Sequence, residues 1–115
     1  MHRIFKLEDQ IAFSKLSGDF NPIHLDKEWA RKEYPGEIVI YGVLILLWAI
    51  ESASHENQIS RIKARFIQPA LLNDKLDLEK KIEGDKQIIL ISIRQNLVAR
   101  FEFFYDKNLK INNSF

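Results

Sequence analysis

The sequence predicts an α+β domain in which a long central helix is buried by an antiparallel β-sheet that wraps around it. The first observation is the apolar run from Val43 to Ile50, which continues through Ser54 without a helix breaker and therefore has helix length. A helix that is apolar on every side must be buried on every side. The second observation is the alternation of apolar and polar residues beyond Asn57, which indicates strands. A sheet wrapped around one helix accommodates both patterns.

A short helix is predicted ahead of the central one. It runs from Glu8 to Leu16, with an acidic first turn, and Gly18 follows just past its end. Its apolar residues are Ile11, Ala12, Phe13 and Leu16. Glycine at such a position permits the left-handed backbone conformation that commonly ends a helix.

A second short helix is predicted from Lys27 to Glu33. Asp26 suits its N-cap, because an aspartate side chain accepts hydrogen bonds from the first free N–H groups of a helix. Trp29 and Ala30 are expected to face inward, and Pro35-Gly36 ends the segment.

Strands account for most of the remaining chain. The predicted strand segments are Arg3 to Phe5, Ile59 to Phe66, Leu76 to Ile82, Ile88 to Ile93 and Leu97 to Tyr105. Glu83-Gly84-Asp85-Lys86 is typical of a hairpin, and a further turn is expected near Gln95-Asn96. The polar stretch from Asp106 to Phe115 is expected to be a loose tail. The whole chain, 1–115, is predicted to be one domain.

Composition excludes several classes of function. With 46% apolar and 29% charged residues the chain has a globular balance, and its net charge of +1 gives no electrostatic reason to expect a nucleic-acid partner. The sequence has no cysteine, which excludes disulfides, thiolate zinc sites and cysteine nucleophiles. The amino terminus lacks the pattern of a signal peptide, and the longest apolar run is shorter than the ~20 residues that span a bilayer. A cytoplasmic protein without membrane contact is expected.

The stretch that suggests an acid–base site lies between the two short helices. Asp19 and His24 flank an Asn21-Pro22 turn, and Pro22 restricts its own backbone and that of Asn21, so the loop is expected to be stiff. The apolar residues expected to anchor the loop are Phe20, Ile23 and Leu25. A carboxylate and an imidazole on a rigid loop suit a positioned acid–base pair.

Less specific interpretations of the same residues remain open. Asp19 and Asp26 suit turn or helix caps, and His24 suits a hydrogen-bonded structural histidine. A metal site formed by Asp19, His24 and Asp26 is disfavoured, because the other two histidines, His2 and His55, lie in unrelated contexts. No metal ligand is therefore assigned.

The residues from Ser17 to Asp26 resemble the signature of the MaoC-like dehydratases and (R)-specific enoyl-CoA hydratases, which have the hot-dog fold. A second likeness is the passage Phe66-Ile67-Gln68-Pro69-Ala70 followed by Asn73-Asp74. Asn73 stands where the family usually has glycine, and asparagine tolerates the left-handed conformation. Tyr41 is a departure, because the family usually has histidine before the glycine that corresponds to Gly42.

The resemblance implies a hydro-lyase that adds water reversibly to a 2-enoyl thioester and gives an (R)-3-hydroxyacyl thioester. Asp19 and His24 match the catalytic residues of the family, although the sequence does not decide which is base and which is acid. Gly42, at the start of the central helix, matches the residue that binds the thioester carbonyl, and helix N-termini stabilise developing negative charge. A tight-packing glycine is the alternative for Gly42.

Further expectations concern supporting residues, cofactors and partners. Asn21 and Ser17 are expected to hold the loop, and the possible acyl pocket comprises Leu44, Leu47 and Trp48. No cofactor is expected, since the substrate is carried as a thioester of coenzyme A or of an acyl-carrier protein. A homodimer or larger assembly is expected, because a single sheet around a helix leaves edges to cover.

Two alternative functions come from other classes. A hot-dog acyl-thioesterase would want a carboxylate on or beside the central helix, where Glu51 is the candidate but lies late in the segment. A catalytically silent acyl-thioester-binding subunit is the other alternative, although the presence of both Asp19 and His24 argues against it.

Overall fold

The computed structural model describes residues 1–53 and 58–106, which form one antiparallel sheet and three α-helices. In chain order the elements are β1 (His2–Ile4), α1 (Leu7–Ser17), a 3-10 turn (Pro22–His24), α2 (Lys27–Lys32), α3 (Gly42–Ser52), β2 (Gln58–Phe66), β3 (Lys75–Glu83), β4 (Lys86–Ile93) and β5 (Asn96–Asp106). The strand order across the sheet is β1-β3-β4-β5-β2, and every neighbouring pair is antiparallel.

The core lies between α3 and one face of the sheet. Ile45, Trp48 and Ala49 on α3 are buried, together with Phe101 and Phe103 on β5. Residues three or four apart lie on one face of a helix, so these positions form the packing face of α3. The prediction of a helix wrapped by an antiparallel sheet is therefore confirmed.

Burial of α3 is less complete than predicted. Val43 and Leu47, one helical turn apart, keep 53% and 44% of their surface exposed within this single chain. The helix ends at Ser52, and the last predicted residue, Ser54, lies outside the described residues. The sheet of one chain covers only one side of the helix, so the expectation of burial on every side is wrong for the chain alone.

The two short helices form where they are predicted, but their buried faces differ from the expectation. Gln10 and Ser14 are the buried residues of α1, whereas the apolar Leu16 is 81% exposed. On α2, Ala30 is buried as predicted, while Trp29 keeps 40% of its surface exposed and is only partly turned inward. Gln10 packs inward because it supplies hydrogen bonds to the segments that contain His24, Val39 and Tyr41.

The turn predictions are largely confirmed. Gly18 ends α1 in the left-handed conformation with φ of 77°, and Asn73 adopts a φ of 71°, as expected for a substitute for glycine. The turn before β5 differs by one residue, since Arg94 and Gln95 take positive φ values and Asn96 already belongs to the strand. Asp106 is the last residue of β5, and the rest of the predicted tail lies outside the described residues.

Within residues 1–53 and 58–106, the helices are too short to cross a bilayer.

Candidate active site

The segment that precedes α3 joins the sheet side of the molecule to the loop predicted to carry the chemistry. On one side, the N–H of Ile40 donates to the carbonyl of Ala70 at 2.8 Å. On the other side, the N–H of Val39 donates to the carbonyl of Ile23 at 3.0 Å. The loop is thus tied by backbone hydrogen bonds to the start of the central helix.

His24 lies at the end of the 3-10 turn and is half-buried. Its Nδ1 is 2.7 Å from the carbonyl oxygen of Val39. A carbonyl oxygen can only accept, so Nδ1 must carry the hydrogen, and in the neutral ring Nε2 keeps its lone pair. The imidazole also stacks on the ring of Tyr41, with centroids 4.1 Å apart. The ring orientation is therefore fixed from two sides.

Asp19 follows the left-handed Gly18 and is exposed. Its Oδ1 accepts a hydrogen bond from the N–H of Asn21 at 3.0 Å, and its own N–H donates to Ser17 Oγ at 3.1 Å. The next link is Asn21 Oδ1, which accepts from the N–H of Ile23 at 3.1 Å. Local bonds of this kind hold an irregular backbone in one conformation. Ser17 and Asn21 therefore lie where they shape the loop around Asp19.

Tyr41 connects the two predicted catalytic residues. Its hydroxyl donates to the backbone carbonyl of Asp19 at 2.6 Å, while its ring stacks on His24. Among the described residues, no direct hydrogen bond joins the Asp19 carboxylate to the imidazole. Burial raises the pKa of the Tyr41 hydroxyl, and the nearby negative charge of Asp19 raises that pKa further. The hydroxyl is therefore a neutral donor at physiological pH.

The loop is anchored differently from the sequence prediction. Phe20 is 62% exposed, so it does not pack as an anchor, whereas Ile23 and Leu25 are half-buried. The stronger attachment is Gln10 of α1, which is fully buried and whose Nε2 donates to the carbonyl of His24 at 3.0 Å. Sequence reasoning missed Gln10. The available signal was the four-residue spacing of Gln10 and Ser14, which places both on one helix face.

A cavity of about 340 Å³ opens beside His24 and reaches the start of α3. His24, Gly42 and Gln68 all line it. The other lining residues are apolar: Val39, Ile40, Ile45, Phe66, Ile67, Pro69, Ala70 and Val98. Asp19 lies outside this wall. The structure thus places two of the three predicted reacting groups, His24 and Gly42, at one apolar cavity.

Gly42 is the first residue of α3, where N–H groups have no partner within the helix. A Cβ atom added there would lie 3.1 Å from the tip of the Phe66 ring, closer than ordinary packing allows. The absence of a side chain therefore lets the ring and the helix N-terminus meet at the cavity wall. Close packing, the alternative given for Gly42, is confirmed, while its role in binding a thioester carbonyl stays a prediction.

The predicted acyl pocket is not this cavity. Trp48 is buried and contacts Phe5 edge-on, with centroids 6.3 Å apart. Leu44 packs against the hydrophobic core, and Leu47 is 44% exposed. Since successive helix residues are about 100° apart, Leu44 and Leu47 lie on the side of α3 away from Gly42 and Ile45, whereas Trp48 shares the face of Ile45 but packs in the core one turn further along.

Residues 1–53 and 58–106 contain no group of three histidine, aspartate or glutamate side chains placed to hold a metal ion. Asp26, one of the residues considered for a metal site, instead accepts a hydrogen bond from the N–H of Trp29 at 3.1 Å and caps α2. This is the capping role that the sequence predicts for it.

The central helix packed on an antiparallel sheet, with a loop that brings His24 beside the N-terminus of that helix, defines a hot-dog domain. Residues 3–98 match the family described as MaoC like domain. The match covers most of the chain, and the protein belongs to the MaoC-like family.

Solved structures show the same fold at low identity. An (R)-hydratase from A. caviae involved in PHA biosynthesis is 22% identical with a TM-score of 0.73, and the match covers 90% of this chain and 88% of that one. The R-hydratase PhaJ1 from Pseudomonas aeruginosa is 23% identical with a TM-score of 0.72, over 90% of this chain and 74% of that one. The HadBC (3R-hydroxyacyl-ACP dehydratase) complex from Mycobacterium tuberculosis is 18% identical with a TM-score of 0.70, over 90% and 88%.

Replacing Tyr41 with phenylalanine tests the brace between Asp19 and His24. Loss of the hydroxyl that donates to the Asp19 carbonyl should lower the free energy of unfolding by about 1 kcal/mol near pH 8. The pKa of Tyr41 is raised in the folded state. The contribution of its hydroxyl to the free energy of unfolding is therefore fully present below the ordinary tyrosine pKa of about 10 and is lost as pH rises through the folded pKa. The measurement is urea unfolding of both proteins from pH 8 to pH 11.

The stability difference between wild type and Tyr41→Phe should narrow above about pH 10, since only the wild type titrates at this position. Tyr105, whose pKa is also raised by burial, is present in both proteins and cancels in the comparison. A difference that stays constant over this range would contradict the assignment.

Proposed function

We propose that this protein catalyses the reversible addition of water to a 2-enoyl thioester, forming an (R)-3-hydroxyacyl thioester. The acyl group is carried on coenzyme A or on an acyl-carrier protein, and the reaction needs no cofactor. Family membership supports the reaction class, and two of the structural neighbours are named as hydratases of this stereochemistry. The local geometry supports the assignment of residues to roles.

The single observation that carries the proposal is the fixed orientation of His24 at the apolar cavity. Its Nδ1 is committed to the Val39 carbonyl, so Nε2 is the ring nitrogen left to exchange a proton with a bound molecule. The same cavity reaches Gly42 at the N-terminus of α3. A proton-exchanging group and a helix N-terminus at one apolar cavity match the needs of thioester chemistry.

Hydration breaks an O–H bond of water, joins the hydroxyl to C3 and places a proton on C2. A base must accept the proton from water while an acid delivers one to C2, and the thioester oxygen gains negative charge between these events. We assign the base and acid roles to Asp19 and His24, acting through one water between them, without fixing which does which. The N–H groups at the start of α3 stabilise the charged oxygen at Gly42.

The alternative functions receive less support from the structure. Glu51, the carboxylate that a thioesterase would need, lies nine residues beyond Gly42 and therefore about 13 Å along α3 from the cavity end of the helix. A silent binding subunit would need the cavity but not the fixed ring of His24. The hydrogen bond from Nδ1 to Val39 and the stacking on Tyr41 favour a working imidazole.

Asp19→Asn and His24→Ala should each reduce hydration of a short 2-enoyl-CoA by about a hundredfold or more in kcat, the usual worth of a positioned acid or base. The double variant should lose far less than the product of the two effects, because the groups act on the same water. Absorbance of the conjugated double bond measures the rate.

The two substitutions should differ in their effect on stability. Asp19→Asn keeps an acceptor for the Asn21 N–H, whereas His24→Ala should lower the free energy of unfolding by about 1 kcal/mol through the lost bond to Val39.

Asp26→Asn is the matched control for the carboxylate. Asp26 lies in the same stretch of sequence but caps α2, and asparagine is an equally good N-cap. This variant should keep wild-type rates and stability. A double Asp19/His24 variant with native-level hydration would refute the assignment.

Gly42→Ala should impair the reaction without unfolding the protein. Alanine favours a helix by about 0.5–1 kcal/mol over glycine, but its Cβ would push the Phe66 ring, 3.1 Å away, toward the cavity. We expect kcat/KM to fall roughly tenfold or more through misplacement of the thioester. In a protein that already carries Phe66→Leu, adding Gly42→Ala should lower kcat/KM much less than it does in the wild type, because the ring is no longer there to be displaced. Unchanged activity in Gly42→Ala, or no recovery in the double variant, would argue against a carbonyl site at this helix start.

We also propose that the working form is a homodimer or larger assembly of this chain. The exposed Val43 and Leu47 on α3, together with the edge strands β1 and β2, offer an apolar face and free strand edges that a second copy would cover. Sedimentation at micromolar concentration should give at least twice the 13.6 kDa chain mass. Leu47→Glu should dissociate the assembly, whereas Leu16→Glu on α1, where the leucine is 81% exposed, should not. A monomeric wild type would refute the proposal.

A further inference from the structure

Gln10 is a buried polar side chain that contacts the candidate site from the first half of α1, the helix whose last residue, Ser17, supports the loop at Asp19. The residue lies on α1, has no exposed surface, and is separated by 14 residues from His24. Its Nε2 donates to the carbonyl of His24 at 3.0 Å and to the carbonyl of Val39 at 3.0 Å. Its Oε1 accepts from the N–H of Tyr41 at 3.3 Å. One amide therefore bonds three residues of the site at once.

The chemistry of the three partners fixes the orientation of this amide. Two carbonyl oxygens can only accept, so they must face the NH₂ group, and the N–H of Tyr41 can only donate, so it must face the amide oxygen. A flipped amide would place oxygen against two oxygens and NH₂ against a donor. Only the observed arrangement satisfies all three groups in a region closed to water.

The Val39 carbonyl receives hydrogen bonds from both Gln10 Nε2 and His24 Nδ1, at 3.0 Å and 2.7 Å. A carbonyl oxygen has two lone pairs, and both are used here. Gln10 pulls this oxygen and the His24 backbone toward the same NH₂ group. The distance between the oxygen and the imidazole is therefore set from α1 as well as from the loop itself.

We infer that Gln10 is a positioning residue that holds the His24 ring in the tautomer protonated on Nδ1, with Nε2 free toward the cavity. Gln10 does not touch the cavity, so its effect passes through the Val39 carbonyl and the His24 backbone. The structural part of this inference stands on the hydrogen bonds alone. Its kinetic consequence rests on the proposed hydratase function.

The test combines nitrogen NMR of the imidazole with hydration kinetics. In the wild type, ¹⁵N shifts should show His24 with hydrogen on Nδ1, and its signals are identified by their loss in His24→Ala. Gln10→Met keeps a similar length and removes both donors, so the population protonated on Nε2 should rise. We expect kcat to fall about tenfold with a smaller change in KM. Losses of this size follow when a group that hydrogen-bonds to a metal-binding histidine, without touching the metal, is removed. Gln10→Asn should not restore the hydrogen bonds, because its side chain is one methylene group shorter.

Ser14→Ala is the matched control. Ser14 is the other buried polar residue of α1, one turn further along the same face, and its hydroxyl donates only within the helix, to the carbonyl of Ile11. This variant removes a buried hydrogen bond at a comparable position and should leave both the tautomer and kcat unchanged.

Gln10→Glu provides a second variant should Gln10→Met fail to fold. Its carboxyl group still accepts from the Tyr41 N–H but offers at most one O–H in place of the two amide donors, so the tautomer should shift in the same direction as in Gln10→Met. A wild-type His24 protonated on Nε2, or a Gln10 variant with wild-type tautomer and kcat, would overturn the inference. A tautomer shift in a protein that hydrates no thioester would support the role of Gln10 and refute the proposed function separately.

Discussion

The carbonyl group of Val39 is the acceptor on which the geometry of the site depends. It binds the Nδ1 hydrogen of His24 and the amide of Gln10, while the N–H of the same residue donates to Ile23. Val39 itself pairs with Leu71 in an isolated antiparallel bridge. The loop that carries Asp19 and His24 is therefore attached to the sheet side through the backbone of residues 38–40: Val39 bonds the loop, and Ile38 and Ile40 bond Leu72 and Ala70.

The sequence was informative where the signal is local. The length and uniform apolarity of Val43 to Ile50 indicate a helix, and the hairpin at Gly84-Asp85 follows from residues that favour the turn conformation. Asn73 was expected to adopt the left-handed conformation because asparagine is one of the few residues that tolerate it, and it does so. The position of the acid–base loop between α1 and α2 also follows from caps at Gly18 and Asp26, which are encoded within a few residues.

The face that each side chain presents could not be predicted in the same way, because it depends on partners far away in sequence. Gln10 is polar and would ordinarily be placed in solvent, yet it is fully buried since Tyr41, Val39 and His24 supply all its hydrogen bonds. Phe20 shows the converse, with an apolar ring left exposed. Burial of a polar residue is favourable only when its partners are in place, and those partners lie 14 to 31 residues away.

Tyr41 shows how a departure from the family pattern can be accommodated. A tyrosine ring is large enough to stack on His24 while its hydroxyl reaches past the imidazole to the backbone of Asp19. The bond goes to the carbonyl of Asp19 and not to its carboxylate, so Tyr41 does not occupy the carboxylate oxygens. The raised pKa of the hydroxyl keeps Tyr41 neutral under ordinary conditions. Tyr41 thus holds the His24 ring and the Asp19 backbone at a fixed separation, which is what the proposed acid–base roles of these two residues require.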